Sequence, residues 1–221
     1  MRTKRVTLLA GHYGSGKTNI AVNLAKAKKR EGYAVSVADL DIVNPYYRSK
    51  DSEEELNALG IELICSPFAN SNVDVPALPQ ELYRIVDEKG THMVVDIGGD
   101  DRGAYALGRF AQKLKDENDY EMILVINKYR PLTVEEKDAL EIMKEIEEAG
   151  HLPFTAIINN SNLGKETTAE EVLASIPYAE NIAKETGLPL LLTTVREDLV
   201  PALEDKIENI MGMELQRSRI W

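Results

Sequence analysis

The sequence predicts an α/β fold with a mostly parallel sheet of about seven strands between two layers of helices. Short apolar runs recur along the chain, longer amphipathic segments separate them, and no proline- or glycine-rich linker interrupts the alternation. Apolar runs that do not alternate with polar residues are typical of strands covered on both faces. We therefore interpret residues 1–221 as one domain, a three-layer sandwich.

The predicted strands are short and rich in leucine or β-branched residues. They are Val6–Ala10, Ala34–Ala38, Ile61–Cys65, Met93–Ile97, Met122–Ile126, Phe154–Ile158 and Leu190–Thr193. Helices are predicted over residues 17–31, 78–89, 103–116, 133–149, 167–186 and 200–211. Repeated strand–helix units favour right-handed crossovers, which place helices on both faces of the sheet.

Two of the helices have specific signals in the sequence. For the helix over 133–149, Thr133 is the expected cap, Glu136 completes a capping box, and Gly150 ends the helix. Helical spacing of apolar residues indicates the last helix, with Leu203, Ile207, Ile210 and Met211 on one face.

Composition and charge exclude several classes of function. The net charge of −11 and the pI near 4.9 weigh against direct binding to nucleic acid or to an anionic membrane. No apolar stretch reaches the roughly 18 residues that a membrane helix needs. Cys65 is the only cysteine, which excludes an intrachain disulfide and fits a cytoplasmic location. The three histidines are far apart and show no zinc-ligand spacing.

A phosphate-binding motif follows the first predicted strand. Its residues are Gly11, His12, Tyr13, Gly14, Ser15, Gly16, Lys17 and Thr18, which match G-x-x-x-x-G-K-S/T at every fixed position. The glycines let backbone N–H groups converge on phosphate oxygens, and the following helix, with Asn19 in its first turn, points its positive end at the same anion. Lys17 is expected to bind the β- and γ-phosphates, and Thr18 to bind magnesium. The motif predicts a P-loop NTPase.

Acidic residues end two other predicted strands. Asp39 and Asp41 follow the second strand, and Asp96 ends the fourth strand just before Gly99. Carboxylates placed opposite Thr18 and a phosphate suit a hydrated magnesium ion, which prefers few carboxylates and several waters. Asp96 is expected to hold the ion together with Thr18, and the Gly99 N–H to contact the γ-phosphate. Capping of the next turn is the alternative role for each aspartate.

With the P-loop and Asp39-Leu40-Asp41, the chain resembles the ParA/MinD group of P-loop ATPases, which includes CobQ/CobB-type synthetases. The resemblance implies that Asp41 activates the attacking water, that Lys17 takes part in catalysis, and that Asp39 lies beside the magnesium ligands. It also implies that an asparagine after the sixth strand, Asn159 or Asn160, contacts adenine. A turn formed by this asparagine pair is the alternative.

The chain also departs from known patterns. His12 stands where the ParA/MinD group has a lysine that reaches across a nucleotide-dependent dimer, and a neutral histidine does not replace that cation. The segment Asn127-Lys128-Tyr129-Arg130 begins like the guanine-specific Asn-Lys-x-Asp, but Arg130 replaces the aspartate, which favours adenine.

The sequence thus predicts an ATP- and magnesium-binding protein, interpreted as a slow ATPase that acts as a nucleotide switch and can form a nucleotide-dependent homodimer. Two alternatives remain open. One is an ATP-dependent small-molecule synthetase or phosphotransferase of the CobB or dethiobiotin synthetase type, with residues 66–79 binding an acceptor. The other is a nucleotide-binding scaffold without significant catalysis, whose conformation an unidentified protein partner reads.

Overall fold

One parallel sheet runs through the part of the chain that the structure describes. This computed structural model describes residues 4–40, 50–65, 83–98 and 101–215. The eight strands have the order β3-β2-β4-β1-β5-β6-β7-β8, and all neighbouring strands are parallel. They are β1 Val6–Ala10, β2 Val35–Asp39, β3 Glu62–Cys65, β4 His92–Asp96, β5 Tyr120–Ile126, β6 Ala156–Asn159, β7 Leu190–Arg196 and β8 Ile210–Met213.

Helices cover both faces of this sheet. They are α1 Lys17–Arg30, α2 Lys50–Ala58, α3 Arg84–Asp87, α4 Asp101–Glu117, α5 Glu136–Gly150, α6 Ala169–Thr186 and α7 Val200–Leu203. Leu8 of β1 packs in the core cluster that contains residues of α4, α5 and α6, whereas its neighbour Leu9 packs with α1 and α2. Because successive strand residues point to opposite faces, a strand buried on both sides needs apolar residues at consecutive positions. The predicted three-layer α/β sandwich is confirmed.

The prediction of a helix over 200–211 was wrong. Helix α7 ends at Leu203, and Ile210–Met213 form β8, which pairs with β7 in the register Thr193 to Ile210. Leu203 and Ile207 are buried beside Val195 and Val172, which explains the apolar spacing that resembled a helix. Pairing with β7 satisfies the backbone groups of 210–213 that face this strand, and it adds an eighth strand to the seven that we predicted.

Helices α5 and α2 also differ from the prediction. Helix α5 begins at Glu136, with Glu135 as its cap and Asp138 completing the capping box. Thr133 instead donates its hydroxyl to the Asn127 carbonyl at 2.7 Å. Helix α2 was not predicted, because its sequence KDSEEELNA contains a single large apolar residue, Leu56, which is fully buried.

Within the described ranges, no helix is long and apolar enough to cross a membrane. Residues 78–82 of one predicted helix, Asp41, Gly99 and the segment 66–79 lie outside the described residues.

Candidate nucleotide-binding site

The phosphate loop lies between the carboxyl end of β1, in the middle of the sheet, and the first turn of α1. Gly11, Gly14 and Gly16 have φ angles of +144°, +79° and +94°, a region that favours glycine. A Cβ at Gly11 would lie 2.4 Å from the Val125 carbonyl oxygen, and one at Gly16 would lie 2.1 Å from the Asn160 amide nitrogen. The loop therefore needs glycine both for its conformation and for its close packing against β5 and β6.

Lys17 is buried, and its ammonium group points back into the loop. It donates to the carbonyls of Gly11 at 2.9 Å and of His12 at 3.0 Å. Helix α1 begins at Lys17, so the N–H groups of its first turn and the positive end of its dipole face the same region. This arrangement places positive charge and backbone donors where an anion would bind.

Two buried carboxylates lie next to the loop. Asp39 of β2 and Asp96 of β4 are neighbours in the parallel pairing, and each is less than 5% exposed. The Thr18 hydroxyl donates to Asp96 Oδ2 at 2.5 Å. A hydroxyl and a carboxylate this close, with a second carboxylate beside them, are the oxygen donors that magnesium prefers, so the residues present fit the ion.

A cavity of about 260 Å³ opens beside the phosphate loop. Its walls come from the loop, α1, the segments after β5 and β6, the first turn of α6, the last residues of β7, and the end of the described chain. The lining residues are Gly14, Gly16, Asn19, Arg130, Asn160, Asn162, Gly164, Lys165, Thr167, Val172, Thr194, Val195, Arg196, Met213 and Leu215. No aspartate or glutamate is among these described residues, and the lining combines apolar, amide, hydroxyl and cationic side chains.

The two asparagines at the end of β6, Asn159 in the strand and Asn160 directly after it, have different surroundings. Asn159 is fully buried, donates to the Ser175 hydroxyl at 3.0 Å and accepts from the Ser161 hydroxyl at 2.7 Å. Asn160 borders the cavity, donates to the Ser15 carbonyl at 2.6 Å and accepts from the Thr194 hydroxyl at 2.5 Å. Of the pair that the sequence predicted, the structure therefore brings Asn160 to the cavity and Asn159 to the packing beneath it.

The remaining residues of the motif differ in their exposure. His12 Nδ1 is 2.8 Å from the Tyr13 carbonyl oxygen, and the Tyr13 side chain is 52% exposed. Ser15 is buried, and its hydroxyl has no hydrogen-bond partner among the described residues. Asn19, in the first turn of α1, is a lining residue of the cavity.

The sequence comparison agrees with this geometry. The family model of the CobQ/CobB/MinD/ParA nucleotide binding domain matches residues 6–190. The chain belongs to this family. No curated protein matches the chain. Membership of this family supports the conclusion that the chain is a P-loop protein that binds a nucleotide.

Solved structures share the fold of this CobQ/CobB/MinD/ParA domain. Cell division protein FtsY from Thermotoga maritima is 20% identical with a TM-score of 0.61, and the match covers 87% of this chain and 62% of FtsY. Chloroplast FtsY from Physcomitrella patens is 19% identical with a TM-score of 0.56, covering 87% and 58%. Signal recognition particle receptor FtsY from Elizabethkingia anophelis, solved in complex with GDP, is 16% identical with a TM-score of 0.54, covering 88% and 58%. The chain spans less than two thirds of each, and at these identities the likeness shows the fold alone.

One wall of the cavity in this CobQ/CobB/MinD/ParA domain comes from residues after the matched range. Met213 and Leu215 line the cavity, and the Glu214 backbone between them is held by Asn23 of α1. The Asn23 amide donates to the Glu214 carbonyl at 3.1 Å and accepts from the Glu214 N–H at 3.2 Å. Sequence reasoning missed this contact, because nothing local to Asn23 indicates a partner 191 residues away.

Arg130 was also missed as a site residue. Its Nε donates to the Gly14 carbonyl at 2.8 Å and its side chain lines the cavity. The sequence motif indicated only that Arg130 replaces the aspartate of the guanine-specific Asn-Lys-x-Asp pattern. A contact between residues 116 positions apart leaves no periodic signal that could have revealed it.

Proposed function

We propose that the domain is a nucleotide switch that binds ATP with magnesium and hydrolyses it slowly. The observation that carries this proposal is the convergence of Lys17, Thr18 and Asp96 at the phosphate loop, with the ammonium directed into the loop and the hydroxyl on the carboxylate. These are the groups that P-loop NTPases place on phosphates and metal. Turnover is slow until a second copy or a partner completes the site.

Each group has a distinct role in this proposal. The loop N–H groups and Lys17 bind the phosphates, and Thr18 and Asp96, with Asp39 beside them, would hold magnesium. When bound, magnesium neutralises charge that develops on the phosphate oxygens. Asp41 is proposed to orient the attacking water and Gly99 to contact the γ-phosphate, as the family resemblance implies.

The cavity supports adenine over guanine. A guanine base presents N1–H and N2–H₂ donors, which a carboxylate binds best, and none of the described lining residues is acidic. Asn160, Asn162 and Thr194 supply amide and hydroxyl groups, while Val195 and Leu215 supply apolar surface. Asparagine offers both a donor and an acceptor, which suits the mixed edge of adenine. In this proposal Asn159 does not touch the base. It positions the segment that borders the cavity, by accepting a 2.7 Å hydrogen bond from the Ser161 hydroxyl.

Apolar side chains around the site support a nucleotide-dependent homodimer. Tyr13 in the loop, Leu132 and Val134 after β5, Leu163 after β6 and Tyr105 in α4 are between 43% and 65% exposed. All five follow carboxyl ends of strands, the edge at which the nucleotide is proposed to bind. Exposed apolar groups that rim a ligand site are typical of a surface that another protein covers.

Binding and hydrolysis test the switch directly. We would measure the affinities of ATP and GTP with and without magnesium, and magnesium-dependent phosphate release, for the wild type, Lys17→Ala and Asp41→Asn. ATP should bind more tightly than GTP, Lys17→Ala should abolish binding, and Asp41→Asn should bind ATP without hydrolysing it. Wild-type binding by Lys17→Ala would refute the proposal. Phosphate release that requires an added metabolite would instead identify a synthetase.

The dimer has its own test. Analytical ultracentrifugation of Asp41→Asn with ATP and magnesium should show a dimer, and the same protein without nucleotide a monomer. Leu132→Glu should prevent dimerisation while its ATP affinity equals that of the wild type at protein concentrations too low for dimers to form. Leu59→Glu is the matched control. Leu59 is 45% exposed, but it precedes β3 and therefore lies at the amino ends of the strands, away from the proposed nucleotide. Equal sedimentation with and without ATP would contradict the dimer.

A further inference from the structure

Two cationic side chains donate hydrogen bonds to carbonyls of the phosphate loop. Lys17 bonds to Gly11 and His12 from within the loop, and Arg130 bonds to Gly14 from the segment after β5. Arg130 is exposed and borders the cavity that the nucleotide is proposed to fill. The proposed ligand would therefore meet a second cation of the same chain beside the loop.

The backbone of Arg130 is held by a tight turn between β5 and α5. Its N–H donates to the Asn127 carbonyl at 3.3 Å, and its carbonyl accepts from the Thr133 N–H at 3.0 Å. The Thr133 hydroxyl donates to the Asn127 carbonyl at 2.7 Å, and the Tyr178 hydroxyl donates to the Thr133 carbonyl at 2.8 Å. Because Asn127, Thr133 and Tyr178 are all buried, the turn presents Arg130 at a fixed place before any ligand binds.

The Arg130 guanidinium has N–H donors beyond the one that bonds to Gly14. Arginine carries five N–H donors in a planar fork, and only Nε is used on the Gly14 carbonyl. Within residues 4–40, 50–65, 83–98 and 101–215, no carboxylate forms an ion pair with Arg130. In a chain with a net charge of −11, an arginine without an acidic partner beside an anion-binding loop is suited to phosphate oxygens.

We propose that Arg130 binds the polyphosphate chain of the nucleotide, as a second cation supplied by the same chain that supplies Lys17. The inference rests on the proposed function, because it needs a nucleotide in the phosphate loop. Its Nε bond to Gly14 orients the guanidinium, and the terminal nitrogens contact phosphate oxygens. A purely structural role, in which Arg130 only supports the Gly14 carbonyl, is the competing explanation.

Arg130→Gln separates the two explanations, because glutamine keeps an N–H donor but carries no charge. We would measure by calorimetry the affinities of ATP, ADP, AMP and adenosine, and of the matching guanine series. Removing a charge-assisted contact should weaken ATP binding by roughly 10- to 100-fold. The loss should shrink from ATP to AMP and vanish for adenosine. Arg130→Lys, which keeps the charge without the fork, should lose less than Arg130→Gln.

The matched control is Lys128→Ala, in the same turn. Its ammonium bonds to the Ala174 carbonyl at 3.3 Å, and Lys128 does not line the cavity, so its affinities should equal those of the wild type. Thermal unfolding of each variant verifies that the fold is intact.

The outcomes separate this inference from the proposed function. If the wild type binds ATP, Lys17→Ala does not, and Arg130→Gln binds as the wild type does, the role of Arg130 is refuted while the switch stands. An equal loss for ATP and adenosine would also refute it, because such a loss indicates a structural support. If the wild type binds no nucleotide, or if Lys17→Ala binds like the wild type, both proposals fail.

Discussion

The side-chain amide of Asn160 donates a 2.6 Å hydrogen bond to the carbonyl of Ser15 and so attaches the end of β6 to the phosphate loop. The Asn160 oxygen accepts from the Thr194 hydroxyl, which adds β7 to the same connection. Gly16 lies against the Asn160 amide so closely that any side chain there would collide with it. The loop conformation therefore depends on a residue 145 positions away.

Asn160→Ala should weaken both stability and nucleotide binding. It leaves the Ser15 carbonyl and the Thr194 hydroxyl without their partner, which costs about 1–3 kcal/mol in the free energy of unfolding. A loop released in this way should bind ATP roughly tenfold more weakly. Urea unfolding and calorimetry measure the two effects. Asn181→Ala, which removes an exposed amide bonded to Glu136, is the control. Unchanged ATP affinity in Asn160→Ala would show that the loop holds its shape without the bond.

Thr18→Val should abolish the effect of magnesium on ATP binding. Valine keeps the shape of threonine and removes the hydroxyl that bonds to Asp96. We expect ATP affinity in EDTA to stay within about twofold of the wild type, and the tightening on adding magnesium to disappear. Thr7→Val is the matched control, since it removes a buried hydroxyl that bonds to Glu121 away from the loop. A full magnesium effect in Thr18→Val would place the ion elsewhere.

Gly103→Ala should destabilise the junction between β4 and α4. A Cβ at Gly103 would lie 2.7 Å from the backbone nitrogen and 3.0 Å from the Cα of Gly98, so the backbone has to move. Overpacking of this kind costs about 1–3 kcal/mol in the free energy of unfolding, which chemical denaturation measures. At Gly90 a Cβ would meet no atom within 4 Å, so Gly90→Ala should be nearly neutral. Equal stabilities of the two variants would contradict the close packing of Gly98 on α4.

His92 should make stability depend on pH. Burial, and next the positive charge of Lys28, lower the pKa of His92 below its ordinary value, with a smaller lowering by Arg5, while Asp119 and the Lys4 backbone oppose the shift. The Tyr33 ring packs against the imidazole at a tilt of 43°, with the ring centroids 4.3 Å apart. As the pH falls below about 6.5, the unfolded chain takes up this proton before the folded chain does, so stability decreases until the folded pKa is reached.

The melting temperature between pH 7.5 and pH 5 measures this effect. His92→Gln should remove the part of the loss of stability that begins as the pH falls below about 6.5. The slope removed should correspond to the uptake of at most about one proton on unfolding. Lys28→Met should reduce the same decrease, because it removes the second cause of the lowered pKa. A wild-type profile that His92→Gln leaves unchanged would contradict this account.

Features that depend on short stretches of chain were predictable from the sequence. The phosphate loop is specified by its own eight residues, and Asp39 and Asp96 are recognisable because each ends an apolar strand that follows the loop in a parallel fold. Parallel order then places the carboxyl ends of β1, β2 and β4 at one edge of the sheet, so the proximity of Thr18 and Asp96 follows from topology.

Features that depend on distant partners were not predictable. Asn159 and Asn160 are identical in sequence terms, and only the pleat of β6 decides that one is packed against Ser175 while the other reaches Ser15. Ile210 and Met211 have helical spacing relative to Leu203, but in the folded chain their backbone pairs with the exposed edge of β7. The sequence pattern alone does not show that this edge is available.

The sequence by itself determined the α/β class, the phosphate loop and its acidic neighbours, because these depend on local pattern and residue chemistry. Only the tertiary structure decided the eighth strand, the side chains that wall the cavity, and the position of Arg130 on Gly14. The contact of Arg130 with Gly14 joins residues 116 positions apart, and β8 depends on the exposed edge of β7. The free energy of these contacts comes from packing and hydrogen bonds that exist only once the sheet has formed.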